Sequence, residues 1–154
     1  MLAAYLSSAR PTILYRKQRI ASLVALPAVI ATLWACPQAA PAQYWTGGGG
    51  NTNWHDAANW SAGVPTSSGT AFLGTVGIPA TTAINSDAVS ADLVVGFLAD
   101  ADLTVTGVSF DTSTVSVGSY ATGRLTLEAG ANFTATRFSI GEYSTGEGTV
   151  IATG

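Results

Sequence analysis

Short runs of alternating apolar and polar residues, each closed by a glycine, recur from about residue 70 onward. Four of these runs end in Gly74, Gly96, Gly118 and Gly141, so the glycines recur at a nearly constant interval. Alternation with a period of two is the pattern of a β-strand that buries one face. A repeat of about 20 to 50 residues is typical of proteins built from stacked units. The pattern therefore predicts coils of short strands in which these four glycines turn the chain.

Each repeat contains three such runs, so one coil of the chain is expected to have three faces. The predicted strands lie at 93–95, 103–105 and 108–110 in one repeat and at 115–117, 125–127 and 132–134 in the next. Phe110 and Phe133 are one position further apart than Leu103 and Leu125, which places one inserted residue in the turn at 127–131. No stretch of ten or more residues in this part of the sequence has a 3.6-residue period, so helix is not expected there.

The repeat at 115–127 also matches the one at 138–150 in residue identity. Six residues recur at one constant offset: Ser116, Gly118, Tyr120, Thr122, Gly123 and Thr126 as Ser139, Gly141, Tyr143, Thr145, Gly146 and Thr149. In this alignment Gly148 takes the inward position of Leu125. An antiparallel β-sandwich would also have short alternating strands, but it would not need a repeated sequence. We therefore expect an all-β parallel β-helix, or β-solenoid, over residues 70–154 with about 22–23 residues per coil.

Residues 43–69 precede the repeats and follow neither the strand period nor the helix period. They contain Trp45, Trp54 and Trp60 among glycine, asparagine and serine residues. Exposed aromatic rings could form a surface that stacks on sugars. Bulky residues at the start of a repeat array more often close its open end, because terminal repeats need a cap to remain soluble. We expect this region to be an N-terminal cap.

Residues 1–42 have the features of a secretory signal peptide. A basic cluster precedes 16 mostly apolar residues at 20–35, a run shorter than a membrane span requires. Small residues then occupy the two positions that a signal peptidase reads, which predicts cleavage between Ala42 and Gln43. The sequence that ends in Cys36 resembles a bacterial lipobox, so lipidation of Cys36 is the alternative.

Removal of this leader would leave a strongly acidic chain. Residues 43–154 contain two basic residues, Arg124 and Arg137, and all nine acidic ones, which gives a net charge of −7. Two dispersed arginines provide no electrostatic surface for nucleic acid or an anionic membrane. The single cysteine is Cys36, so the predicted mature chain has no disulfide and no thiolate chemistry. We expect it to bind no nucleic acid and not to span a membrane.

Few residues of the predicted mature chain are suited to catalysis. His55 is the only histidine, and with Asp56 and Asp87 it lacks the number and spacing of ligands that a metal site needs. Asp100 and Asp102 would share a face on a strand, but we expect both in a turn, where the next coil offers no second acidic pair. The acids that could line one side of the solenoid are Asp92, Asp100, Asp102, Asp111, Glu128, Glu142 and Glu147. We predict no catalytic residue, metal site or cofactor.

A specific set of residues links this chain to a known group of proteins. The set is Trp45, Trp54, Asn59-Trp60, Gly63-Val64-Pro65 and Ala71-Phe72, followed by units of the form Val-x-Val-Gly-x-x-x-x-Gly-x-Leu-Thr-Leu. It resembles the N-terminal passenger region of bacterial autotransporter-type surface proteins, and is similar to secreted repeat proteins that carry a C-terminal sorting signal. The resemblance covers residues 43–154 and implies a right-handed β-helix displayed on, or released from, a Gram-negative cell.

The sequence thus leads to two functional hypotheses. The first is an exported, structural or adhesive cell-surface module, which would depend on the export machinery and could contact a surface polysaccharide or another cell. The second is the N-terminal part of a β-helical polysaccharide lyase or glycosidase. Because the last repeat is incomplete at Gly154, we expect the array to be truncated, with no C-terminal barrel to support self-export.

Overall fold

A computed structural model describes residues 41–154, so the predicted signal sequence up to residue 40 lies outside the described residues. The described part is almost entirely strand, with one short 3-10 helix at Ala57–Asn59. Its strands are β1 (Ala42–Tyr44), β2 (Thr70–Leu73), β3 (Ala80–Ile84), β4 (Ala88–Val89), β5 (Asp92–Val95), β6 (Ala101–Val105), β7 (Ser109–Val117), β8 (Thr122–Leu127), β9 (Asn132–Ile140) and β10 (Glu147–Ala152).

These strands pair in parallel and form two sheets. In the first sheet the order is β1-β2-β5-β7, with β9 following β7 and β4 pairing with the first half of β7. In the second sheet the order is β3-β6-β8-β10. Because each strand pairs with its equivalent in the next turn, the chain forms about four stacked turns. The protein is therefore a β-solenoid, and the predicted fold class is confirmed.

The register of the strands gives the relative length of each coil. Thr70 pairs with Asp92, which pairs with Thr114, so these two coils are equally long, whereas the coil from Thr114 to its partner Arg137 is one residue longer. The second sheet keeps the shorter interval where Val105 pairs with Leu127. The longer interval begins where Ser109 pairs with Asn132. The additional residue therefore lies in the turn after Leu127, as the sequence predicted.

The alignment of the last repeat was wrong from Thr145 onward. Gly148 pairs with Gly123 and Val150 with Leu125, so this coil is two residues longer than the matching identities indicated. The two additional residues lie in the loop at 141–146. A shift of two residues preserves the inward and outward alternation of a strand. It also places the apolar Val150, and not Gly148, at the inward position of Leu125, which fills the interior.

Inward side chains form columns through the stack, and these columns are the hydrophobic core. Ala71, Leu93 and Val115 are successive partners in the first sheet, and all three are fully buried. Leu103 and Leu125 are partners in the second sheet and are also buried. Apolar side chains stacked at the strand spacing of about 4.8 Å exclude water from the inner coils, whereas Phe138, the partner of Val115 in the last coil, is 42% exposed. The burial in the inner coils stabilises a chain whose described part has no cysteine and therefore no disulfide.

The tryptophan-rich region lies along the first regular coil. β1 pairs with β2, and residues 52–54 run beside β3, where the amide of Trp54 donates to the carbonyl oxygen of Ala83 at 3.1 Å. Trp45, Trp54 and Trp60 are only 3%, 0% and 5% exposed. Their burial rules out the exposed sugar-stacking surface for these rings. Instead, Trp45 and Trp54 pack edge-to-face against Trp60, and Trp54 also packs edge-to-face against Phe110 of the stack.

One inward position of the first coil holds a polar side chain without a partner. Thr82 is 1% exposed on β3, its strand partner is the apolar Leu103, and its hydroxyl makes no hydrogen bond within the described part. Burying an unpaired hydroxyl costs about 1–3 kcal/mol. We therefore expect Thr82→Val, which keeps the shape and removes the hydroxyl, to raise the free energy of unfolding by about 1 kcal/mol, measured by urea denaturation.

The matched control is Thr81→Val at the neighbouring exposed position, where the change should stay within about 0.5 kcal/mol. A loss of stability in Thr82→Val alone would contradict the prediction. It would mean that the Thr82 hydroxyl is satisfied by an internal water.

Candidate ligand-binding groove

Outward side chains of the first sheet also stack in columns, because the same residue position points outward in every coil. One outward column contains Thr70, Asp92, Thr114 and Arg137, which are successive strand partners. The neighbouring column contains Phe72, Val94, Ser116 and Ser139. The parallel stack thus places residues from four coils side by side on one surface.

These columns line an open groove with a volume of about 390 Å³. Its floor is partly apolar, at Phe72 and Val94, and its charged residues are Asp92, Arg137 and Glu142. The complete lining is Thr70, Phe72, Asp92, Leu93, Val94, Thr114, Ser116, Arg137, Ser139 and Glu142. The surface combines several hydroxyl groups with both signs of charge.

Glu142 closes one side of this groove. It lies in the loop after β9 and folds back onto the preceding coil, where the hydroxyl of Ser116 donates to its Oε2 at 2.7 Å. Ser116 is only 5% exposed as a result, although its position on the strand points outward. At the other end of the groove the hydroxyl of Thr70 donates to Oδ2 of Asp92 at 3.4 Å, a weak contact.

The groove is suited to hydrogen bonding with an extended polar ligand. Its columns repeat at the strand spacing of about 4.8 Å, which is comparable to the length of one sugar ring in a polysaccharide. Hydroxyl and charged groups fix the position of such a ligand, while the apolar floor contacts its less polar faces. The sequence did not reveal this site, since its residues are spread over 70–142. The spacing of one coil between Thr70 and Asp92 could have indicated that these residues share an outward column. The return of Glu142 onto the preceding coil has no sequence pattern that would predict it.

Several other carboxylates connect one coil to the next. Oδ1 of Asp87 accepts a hydrogen bond from the amide of Ser109 at 2.8 Å, and Oδ1 of Asp100 accepts one from the amide of Thr122 at 3.1 Å. Oε2 of Glu128 accepts from the hydroxyl of Thr106 at 2.8 Å. Each of these contacts spans 22 residues of sequence, which is one coil. These acids therefore satisfy donors of the stack itself.

Asp100 and Asp102, the acidic pair considered in the sequence, occupy different kinds of position in the structure. Asp102 lies on β6 rather than in the turn where we expected it, and its strand partner is Arg124. Asp100 precedes the strand and is engaged with Thr122. Both aspartates are exposed, and of the two only the Asp100 carboxylate is held by a hydrogen bond to the next coil. They do not form a second acidic site.

His55 and Asp56 also have structural partners. Nε2 of His55 lies 3.1 Å from the carbonyl oxygen of Ser86. Asp56 accepts hydrogen bonds from the amide group of Asn51 and from the backbone amide of Ala58, and these bonds lower the pKa of its carboxyl group below the ordinary value. Within residues 41–154 no cluster of three or more histidine, cysteine or acidic side chains is arranged to hold a metal ion.

The residues at the predicted cleavage site lie within the described part of the chain, whereas the predicted lipidation site does not. Ala42 and Gln43 both lie on β1, where Ala42 pairs with Thr70 and the side chain of Gln43 is buried. Cleavage between them would remove the first residue of this strand and leave Gln43 and Tyr44 in place. Cys36, the alternative lipidation site, lies outside the described residues.

The four turn glycines have positive φ angles at the ends of first-sheet strands. The values are 75° at Gly74, 77° at Gly96, 74° at Gly118 and 65° at Gly141. This conformation is accessible to glycine with little strain. Three of these positions, Gly74, Gly96 and Gly118, also leave no room for a side chain, because an added β-carbon would overlap main-chain atoms of the adjacent coil.

An aromatic ladder runs along the stack beside the groove. We use this name for five rings: Tyr44, Phe72, Phe97, Tyr120 and Tyr143. Tyr44 and Phe72 are stacked with their centroids 5.0 Å apart, and Tyr120 and Tyr143 are stacked at 4.0 Å. The other two contacts are not stacked: the planes of Phe72 and Phe97 differ by 51°, and those of Phe97 and Tyr120 by 72°. The three tyrosines of the ladder also remain partly exposed to solvent.

Comparison of the chain with protein-family models, with curated proteins and with solved structures gives no significant match in any of the three.

Proposed function

We propose that this protein is an exported, passenger-type β-solenoid module with a structural or adhesive role at the cell surface. The observation that carries the proposal is the use of polar side chains along the stack. Acidic residues outside the groove hold one coil to the next, whereas the outward columns of the first sheet leave a hydroxyl-rich, charged groove open. Such a surface supports the binding of a polar ligand.

Export is supported by the leader-like pattern at 1–42 and by the composition of the rest of the chain. Residues 43–154 contain no cysteine, so no disulfide would hinder passage through an export channel in an extended state. In the described part, residues 41–154, no helix has the length and apolar character to cross a bilayer.

The test of export is to express the full chain in a Gram-negative bacterium and to fractionate the cells. We expect the chain in the exported fractions with Gln43 as its N-terminal residue, determined by N-terminal sequencing. A chain that begins at lipidated Cys36 would contradict the predicted cleavage site but would still support export. Retention of an uncleaved chain in the cytoplasm would contradict export itself.

Adhesion is assigned to the groove, with a polysaccharide as the ligand. The test is retention of the purified protein on insoluble cellulose, on chitin and on immobilised alginate, which represent neutral, amide-bearing and anionic chains. We expect retention on at least one of them. Arg137→Gln should weaken it about tenfold, because the variant loses a charge-assisted hydrogen bond.

Arg124→Gln is the matched control, since it removes the same charge from an exposed arginine of the second sheet. It should leave binding unchanged. No retention on any of the three polysaccharides would contradict the adhesive role, and an equal loss in both variants would contradict the groove as its location.

One observation favours the second hypothesis, a polysaccharide-active enzyme. Asp92 and Glu142 line the same groove, so two carboxylates face one bound chain. Glycoside hydrolysis requires such a pair, one carboxyl acting as an acid and the other as a base or nucleophile. Release of reducing ends from the polysaccharide that binds, abolished by both Asp92→Asn and Glu142→Gln, would establish this activity in place of adhesion alone.

A further inference from the structure

Two exposed tyrosines form the closest aromatic contact in the described part of the chain. Tyr120 and Tyr143 follow Gly118 and Gly141 in equivalent turns of successive coils. Their ring centroids are 4.0 Å apart and their planes differ by only 6°. The rings are 42% and 46% exposed. Carbon atoms of the two rings are therefore in van der Waals contact and accessible from solvent.

The backbone fixes this arrangement. The amide of Tyr143 donates to the carbonyl oxygen of Ser119 at 3.2 Å, and the hydroxyl of Thr145 donates to the carbonyl oxygen of Tyr120 at 2.8 Å. Each turn is thereby attached to the equivalent turn of the other coil. The two phenols do not have to search for one another, which favours a reaction between them over a reaction between molecules.

The phenol groups of Tyr120 and Tyr143 affect each other electrostatically. The pKa of Tyr143 is raised above its ordinary value, first by a hydrogen bond to the Tyr120 side chain and then by repulsion from the negative charges of ionised Tyr120 and of Glu142.

We propose that Tyr120 and Tyr143 are a site of oxidative cross-linking, in which a peroxidase-type enzyme and a peroxide join them as a dityrosine. Each phenol loses one electron and one proton and becomes a phenoxyl radical. The ring carbons ortho to the two oxygens then form one carbon–carbon bond, and the hydrogens on those carbons move to the oxygens as both rings regain aromaticity. The two electrons and two protons removed convert one hydrogen peroxide to two water molecules.

Such a bond would connect two coils in a part of the chain that has no cysteine. It would close residues 120–143 into a covalent loop and restrict the unfolded chain, as a disulfide does. Tyr44 provides the contrast, because its stacking partner on the ladder is Phe72, which has no phenol oxygen and cannot form a phenoxyl radical.

The test is treatment of the dilute, folded protein with a heme peroxidase and hydrogen peroxide, followed by trypsin digestion. Cleavage after Arg124 and Arg137 puts Tyr120 and Tyr143 on different peptides. We expect dityrosine fluorescence and one cross-linked species that joins peptide 138–154 to the peptide ending at Arg124, lighter than their sum by two hydrogen atoms. The treated protein should stay monomeric and melt at a higher temperature.

Three variants and one denatured sample make the outcome decisive. Tyr120→Phe and Tyr143→Phe should each lose the cross-linked peptide, whereas Tyr44→Phe should retain it in full. Circular dichroism confirms that each variant remains folded. Absence of the peptide from the folded protein, its loss in Tyr44→Phe, an equal yield in urea, or a bond found only between molecules would each overturn the proposal.

Discussion

Replacing Trp54 with alanine is expected to lower the free energy of unfolding by about 3–5 kcal/mol. Trp54 is fully buried, and its ring lies 4.7 Å from Trp60 and 5.4 Å from Phe110. Phe110 belongs to a later coil, and its partner on β4 is Ala88, whose small side chain leaves room for the indole to reach it. Truncation would therefore open a cavity that joins the tryptophan-rich region to the solenoid interior.

The measurement is urea denaturation of the purified protein followed by tryptophan fluorescence and circular dichroism. Val76→Ala is the control, because Val76 is 77% exposed and its truncation should change the stability by less than about 0.5 kcal/mol. Loss of less than about 1 kcal/mol in Trp54→Ala would contradict the anchoring role of this side chain. It would mean that residues before Thr70 contribute little to the stability of the coils.

The second large effect is expected at Gly118, where alanine should lower the free energy of unfolding by about 2–5 kcal/mol. Gly118 has a φ of 74°, and a β-carbon there would overlap main-chain atoms of Glu147 and Gly148. Those atoms begin β10, so the added methyl group would push this strand away from β8. Faster hydrogen exchange of the β10 amides should accompany the loss of stability.

Gly77→Ala separates the cost of the left-handed backbone conformation from the cost of steric overlap with the next coil. Gly77 has nearly the same φ, 71°, but nothing lies within 4 Å of its added β-carbon. This variant should lose only the cost of the left-handed conformation, about 1–2 kcal/mol. An equal loss in both variants would show that β10 moves aside freely, and would contradict close contact between the coils as the reason for glycine at position 118.

Local pattern was sufficient for the fold class because strand alternation and coil spacing are both properties of the linear chain. The intervals between Thr70, Asp92, Thr114 and Arg137 follow the spacing of the turn glycines, which is visible in the sequence. Each of these sequence intervals equals the offset between hydrogen-bonded partner residues, because each strand pairs with the equivalent strand of the next coil. The insertion after Leu127 was located correctly for the same reason.

The last coil could not be aligned by residue identity. Thr145 and Gly146 match Thr122 and Gly123 in type, but the strand pairs two residues further on. A shift by two residues is invisible to the alternation pattern. Only packing decides it, because Val150 fills the interior beside Leu125 whereas a glycine would leave it empty. A similar limit applies to Thr82, whose burial was not evident from its type.

Linear pattern was enough to establish the β-solenoid fold, the length of most coils, the acidic charge and the turn positions of four glycines. Folding was needed to show which distant side chains share a surface. Asp92, Arg137 and Glu142 meet in one groove, and Tyr120 and Tyr143 stack face to face, because parallel stacking brings residues of successive coils within about 5 Å. Such contacts depend on the exact register and on the path of the loops, and neither is encoded in any single repeat.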